Sequence, residues 1–356
     1  MAVRKLKIAA AGLGRMGKRH AMHFLNRTPR AELVAAFTPD ETEFQWARLN
    51  LEPHGVKLFS DYDAMLEQTE GLQAVVIATV TTVHAEEALK AMAKNLHVLC
   101  EKPLSTSVEI TRKVVEAAQA KPHLKVMCGF SRRFDASYRD AYEKMDAGVI
   151  GRPTIIRSQT CDKHDPSGFF VDYAAFSGGC FVDMSVHDID LALWFFGEDR
   201  LVKSVSAAGV VAVAPGLKQH QDYDNAVGIV EFHNGKVAYF FCSRMMAHGQ
   251  EDTTEVIGTE GKLVVNGNPQ ANLVNTYTTT GINREIPPHY YGRFEHAFVS
   301  EANEFTAACL DGTKLPLKIT GALRAVQIGS YLQEAVRTGK KLNFDETERR
   351  VEKATL

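Results

Sequence analysis

Three side chains in one short stretch have the types and spacing to move a proton. Asp183 and His187 stand four positions apart and Asp190 three further on, just after Gly178-Gly179 and within an apolar run of Ile189, Leu191, Leu193 and Trp194. If the stretch opens one amphipathic helix, that spacing puts all three on one face. A carboxylate beside an imidazole fixes its tautomer and raises its basicity, which suits a general acid and base near neutral pH. The glycine pair lets another backbone or a flat ligand approach the helix start. The plainer alternative is a helix N-terminus whose acids suit its dipole, with a histidine in the core. A metal held by Asp183, His187 and Asp190 is a weaker option, since no further His or Cys stands at ligand spacing, and no metal is expected.

A second chemical feature lies upstream. Residues 6–11 form a short buried-strand pattern, followed at once by Gly12-Leu13-Gly14-Arg15-Met16-Gly17 and a helical pattern over 18–26. This is G-x-G-x-x-G with a strand before it and a helix after it, the context in which the motif binds a dinucleotide. Gly12 makes the tight turn, Gly14 admits a pyrophosphate and Gly17 lets helix and strand pack. The N–H groups at Arg15 and Met16, at the helix start, face the phosphates. The next strand, over 31–37, ends in Thr38-Pro39-Asp40, where such folds usually carry an acid for the ribose hydroxyl. Thr38 would not repel a 2′-phosphate, and no arginine stands beside it, so NAD and NADP both remain open. Asp40 either reaches the ribose or caps the following helix.

The elements that must position these residues alternate. A buried strand over 73–79 leads into a loop from Thr79 to His84, at the sheet end where ligands sit. A helix over 85–94 and a strand over 96–100 then lead to Glu101-Lys102-Pro103. There Lys102 points into the crevice, where it can bond a hydroxyl and acidify it; the alternative is a surface salt bridge. A helix over 108–119 and a strand over 125–130 complete a doubly wound parallel sheet. The boundary falls near Ser131-Arg132-Arg133-Phe134, giving a Rossmann domain over 1–130 and a second domain over 131–356.

In that second domain a helix over 136–147 ends at Gly148, and a strand over 154–160 runs into a polar cluster with Asp162 and His164. The cluster either faces a substrate or is a solvated loop. Strand patterns over 202–213, 225–232, 236–242, 254–257 and 262–265, with an Asn234-Gly235 turn, imply a large and mostly antiparallel sheet. Helices follow, one to residue 310 and one over 320–338. One sheet face packs on helices and the other needs a cover, which predicts a homodimer or homotetramer.

Composition excludes several classes. The 356 residues are 45% hydrophobic and 24% charged with a formal net charge of −2, so neither nucleic acid nor an anionic membrane surface is an expected partner. No apolar run is long enough to span a bilayer. The start of the chain runs straight into a strand with no signal-peptide pattern, and the six scattered cysteines read as reduced thiols, so a cytoplasmic protein is expected.

Taken together, Gly12 to Gly17, Glu101-Lys102-Pro103, Gly178-Gly179 with Asp183, His187 and Asp190, and Glu255-Val256-Ile257-Gly258-Thr259-Glu260-Gly261 resemble the Gfo/Idh/MocA oxidoreductases across nearly the whole chain, and the inositol 2-dehydrogenase-type members in particular. The resemblance implies an N-terminal Rossmann domain, a C-terminal α/β domain on a large open sheet, and hydride transfer between nicotinamide and a hydroxyl-bearing carbon of a cyclitol or sugar. It makes Lys102, Asp183 and His187 the catalytic trio: His187 the acid and base, Asp183 its partner and Lys102 the polarising cation. Cofactor contacts are then expected from Gly12, Gly14, Arg15, Met16, Gly17, Thr38, Asp40, Thr79, His84, Glu101 and Lys102, and substrate contacts from Asp162, His164, Asp183 and His187. Two alternatives stand beside this: an NADPH-dependent carbonyl or imine reductase, and a non-catalytic NAD(P) sensor, which would have no need of an acid and base.

Overall fold

A computed structural model describes residues 4–352; Met1–Val3, part of the N-terminal stretch read above, lie outside the described residues. The chain divides into two compact units, Met1–Phe134 with His296–Leu323, and Asp135–Glu295 with Arg324–Leu356.

In the first unit, strands β1 (Leu6–Ala11), β2 (Ala31–Phe37), β3 (Lys57–Phe59), β4 (Ala74–Ile77), β5 (His97–Cys100) and β6 (Val126–Cys128) form one parallel sheet in the order β3-β2-β1-β4-β5-β6. Helices α1 (Gly17–Asn26), α2 (Glu41–Asn50), α3 (Tyr62–Gln68), α4 (His84–Ala93) and α5 (Val108–Gln119) connect them. Ile8, Ala9, Ala11, Val75, Ile77, Val98 and Leu99 are fully buried, as expected of parallel strands covered on both faces. The order reverses between β1 and β4, which leaves the crevice at the C-terminal ends of these two strands.

The second unit begins with α6 (Ala136–Asp146) and the long strand β7 (Pro153–Lys163). Three helices follow: α7 (Phe169–Tyr173), α8 (Cys180–Asp183) and α9 (Val186–Phe196). Strands β8 (Val202–Val210), β9 (Asn225–Phe232), β10 (Val237–Met246), β11 (Thr254–Gly258) and β12 (Lys262–Val265) join β7 in an eight-stranded sheet, order β12-β11-β7-β10-β9-β8-β15-β16. A separate exposed hairpin, β13 (Asn275–Thr278) with β14 (Gly281–Arg284), precedes the long helices α10 (Tyr290–Asp311) and α11 (Ile319–Thr338), and β15 (Leu342–Phe344) and β16 (Arg350–Val351) close the chain. The large sheet is antiparallel except where β7 and β10 run parallel.

That sheet has two unlike faces. Ile156, Ser158, Val230, Ala238, Phe240, Cys242, Thr254 and Val256 are buried, while Ile155, Ile229 and Val264, of opposite parity, are exposed. On the buried side α9 packs over β7. Ser158 and Thr160 of β7 each donate a hydroxyl at 2.7 Å to the Asp188 carboxylate of α9, and Thr254 and Tyr138 extend the hydroxyl chain from Ser158. Asp188 is thus the peg that fixes the start of α9, next to His187.

Candidate active site

The glycine turn is shaped by backbone contact. A Cβ on Gly17 would sit 1.9 Å from the Gly12 carbonyl oxygen, and one on Gly12 would sit 2.6 Å from the Thr79 backbone. Both positions must be glycine for β1, β4 and α1 to meet. Gly14 is different: a Cβ there would meet the flexible end of a side chain, Glu43 Oε1, at 3.3 Å. The N-terminus of α1 has no side-chain cap and no acid in its first turn, so the positive end of the helix beside Arg15 and Met16 is kept for an anion. These features fit a dinucleotide.

At the tip of β2, the Thr38 hydroxyl donates to Glu43 Oε2 at 2.5 Å and the Leu13 N–H donates to the same oxygen at 3.2 Å. Asp40 is spent on capping α2, accepting the Glu43 N–H at 2.8 Å. The acid at this edge is therefore Glu43, which sequence reasoning missed. The Asp40-x-x-Glu43 spacing carried the signal, because a capping pair brings the third residue's side chain back to the cap.

Beyond β4, Thr79 donates to Glu87 at 2.6 Å, and burial pushes the Glu87 carboxyl up to about 7. His84 lies between the carbonyl oxygens of Thr79, at 3.1 Å, and Pro103, at 3.0 Å. Its burial lowers its affinity for a proton against those two bonds, and it braces the loop after β4 against the cis Lys102–Pro103 segment. Glu101 pairs with His20 Nε2 at 2.7 Å and accepts the Lys102 N–H at 3.2 Å. Burial works against the Glu101 charge, but the His20 contact outweighs it and holds the carboxyl below its usual range. In the first unit, then, the glycine turn abuts Thr79, and His84 links Thr79 to the segment that carries Lys102.

In the second unit the single helix expected through Asp183 and His187 is two helices. The Ser185 N–H reaches the Cys180 carbonyl five residues back, at 3.3 Å, so the turn between α8 and α9 is widened. The turn separates Asp183, at the end of α8, from His187 and Asp190, which stay three apart on α9. Gly179 starts α8 at φ 96°, and a Cβ there would sit 2.2 Å from the Gln333 side chain. The glycine makes room for Gln333, whose Oε1 accepts the Phe181 N–H.

Asp183 Oδ2 accepts from Arg244 Nη2 at 2.5 Å, and Tyr173 donates to Oδ1 at 3.3 Å. His187 is buried, with Nδ1 3.4 Å from the Tyr290 hydroxyl and the two rings stacked 5.1 Å apart. Asp162 lies at the end of β7, which runs into the polar cluster, and accepts from Gln250 at 2.9 Å. His164 is exposed and lines a pocket of about 350 Å³ with Asp165, Phe170, Asp224 and Arg244. Asp162 and Asp183 both bear on the Arg244 charge. Among the described residues no group of three His, Cys, Asp or Glu side chains is placed to hold a metal, and no helix is long and apolar enough to cross a membrane.

Arg244, Tyr173 and Tyr290 went unread in the sequence. Arg244 had a signal: it shares parity with the buried Ala238, Phe240 and Cys242, so extending β10 by two residues turns it inward.

Comparison with known proteins is consistent across both units. Residues 6–130 match the family model of an oxidoreductase family with an NAD-binding Rossmann fold, and residues 138–264 match the Gfo/Idh/MocA C-terminal domain. The scyllo-inositol 2-dehydrogenase (NAD(+)) of Bacillus subtilis is 30% identical over 96% of this chain and 97% of its own. The myo-inositol 2-dehydrogenase of Thermotoga maritima is 26% identical over 96% and 99%. The structure of scyllo-inositol dehydrogenase from Lactobacillus casei with bound NAD(H) and scyllo-inositol superposes with a TM-score of 0.90, at 32% identity over 96% of this chain and 99% of that one.

Proposed function

We propose that this chain, which belongs to the Gfo/Idh/MocA family of NAD-binding oxidoreductases, is an NAD-dependent dehydrogenase that oxidises a ring hydroxyl of an inositol or a related cyclitol. The observation that carries the reading is the second unit's acid–base apparatus: His187 on Tyr290, one widened turn from an Asp183 held by Arg244. A protein that only senses a dinucleotide has no use for it.

Bound NAD supplies the hydride acceptor. The chain handles the proton. His187 takes it from the substrate hydroxyl, with the Tyr290 hydroxyl beside Nδ1 orienting the ring. Lys102 polarises the hydroxyl, Asp183 partners the imidazole, and Asp162 and His164 hold neighbouring hydroxyls. Gly12, Gly14, Arg15, Met16, Gly17, Thr38, Thr79, His84 and Glu101 shape the cofactor side, with residues 1–130 serving NAD and residues 131–356 serving substrate and self-association. The Glu43 carboxylate at the tip of β2 supports NAD over NADP, since a 2′-phosphate would meet a like charge there.

The half-exposed apolar face carrying Ile155, Ile229 and Val264 supports a homodimer or homotetramer, testable by light scattering at micromolar concentration. The six free cysteines, five of them buried, support a reducing cytoplasmic setting. The reaction itself is tested by incubating the protein with NAD and NADP against a panel of inositols, aldoses and uronic acids, following nicotinamide absorbance. Reduction of NAD by at least one inositol is expected. Dinucleotide binding without turnover of any alcohol would favour the sensor, and activity confined to carbonyl compounds with NADPH would favour the reductase.

A further inference from the structure

Arg244 has no role of its own in the chemistry assigned above beyond holding Asp183, with which it forms an ion pair. Its side chain is 3% exposed. Nη2 donates to Asp183, Nε donates to Met184 Sδ at 3.0 Å, and the guanidinium lies over the Phe170 ring at 4.4 Å. Nη1 is buried and has no acceptor among the described residues. An arginine placed for stability alone would have its donors satisfied, because an orphaned buried N–H is costly. A buried ion pair is in any case weak evidence for stability, since desolvation opposes the attraction.

The surroundings point the same way. Asp183 ends a four-residue helix, and its side chain is held by Arg244 and Tyr173. The groups that bear on the pair come from several elements: Tyr173 from α7, Asp162 from β7, Asp222 ahead of β9, and the Cys180 thiol of α8. Burial opposes the Arg244 charge, but Asp183, Asp162 and Asp222 outweigh it and keep the arginine charged.

We propose that Arg244 is a positioning residue that locks Asp183 as a fixed carboxylate, so that Asp183 orients charge in the site and leaves proton exchange to His187. The role of His187 rests on the reaction proposed above, whereas the state of Asp183 can be measured without turnover. Carbon-13 NMR of the full-length protein labelled at aspartate carboxyls follows Asp183 directly, with D183N identifying its resonance. In the wild type Asp183 should titrate below the ordinary aspartate value of about 3.9. In R244M it should titrate about one to three pH units higher, and R244K should recover part of the difference. R244Q serves the same comparison if R244M does not fold. In turnover, R244M should lower kcat, raise the acid limb of its pH profile and leave NAD affinity unchanged, with added guanidinium restoring activity in R244A. Asp183 titrating at the same pH in the wild type and a folded neutral variant overturns the proposal. A wild type that oxidises no polyol would sink the reaction reading instead, and the titration would still decide the role of Arg244.

Discussion

The glycine turn of the first unit and the Asp183–His187 region of the second are built from different materials. Around Gly12, Gly14 and Gly17 the backbone is the device: six consecutive residues hold it, and its tolerances are distances such as the 1.9 Å a Cβ on Gly17 would leave to the Gly12 oxygen. Around Asp183 and His187 the device is a set of side chains from distant segments, with Tyr290 meeting His187 across 103 positions and Arg244 meeting Asp183 across 61. A backbone device fails outright when one atom is added. A side-chain network degrades by degrees and reports each loss in a pH profile.

That contrast can be tested from its strongest consequence downward. Gly17→Ala should abolish NAD binding by calorimetry and lower the melting temperature together, because the added methyl meets a backbone carbonyl that cannot give way. Retained NAD affinity in a folded variant would break the backbone half of the comparison. His187→Ala should act the opposite way, lowering kcat by about 10²- to 10⁴-fold while NAD affinity barely changes. A histidine that only filled the core would instead show in the melting temperature, with turnover of the folded fraction intact.

Glu43→Gln sharpens the boundary between the two halves, since it changes a side chain at the backbone device. It should shift the NADP-to-NAD affinity ratio toward NADP by on the order of tenfold, about 1.4 kcal/mol, and leave the fold in place. An unchanged ratio would mean that the carboxylate near Gly14 does not face the ribose.

The smallest effect concerns Glu87, behind Thr79. Burial raises its folded proton affinity to about 7 from an ordinary 4.5, so its contribution is fully present below pH 4.5 and is lost as pH rises through 7. Glu87→Gln stays neutral at every pH. It should melt a few degrees above the wild type at pH 8, with the gap closing by pH 4. Parallel melting curves across that range would show that Glu87 is solvated or otherwise paired.

What could be read in advance follows the same division. The glycine turn, the parallel strands and the helices over 84–93 and 108–119 are local patterns, and a local pattern survives without its neighbours. Asp183 and His187 were legible as residue types. The break between α8 and α9 was not, because the widened turn at Cys180–Ser185 leaves no trace in hydrophobic period. Gly179 suggested ligand access, yet its neighbour is Gln333, which no short window contains. Arg244 was hidden by ending a strand at Cys242, four residues early. Asp188 was not singled out, because its partners Ser158 and Thr160 lie 30 and 28 positions away. The hairpin of β13 and β14 is exposed on both strands and so has no alternation to read.

The central claim is that His187 and its network remove a hydroxyl proton while a hydride leaves the same carbon for NAD. It is tested most directly by single turnover with scyllo-inositol deuterated at its ring carbons. The account predicts one deuterium transferred to the nicotinamide per turnover in the wild type, and a transfer rate in His187→Ala lower by about 10²-fold or more at equal NAD occupancy. Wild-type transfer rates in His187→Ala, or bound NAD that acquires no deuterium in the wild type, would contradict it.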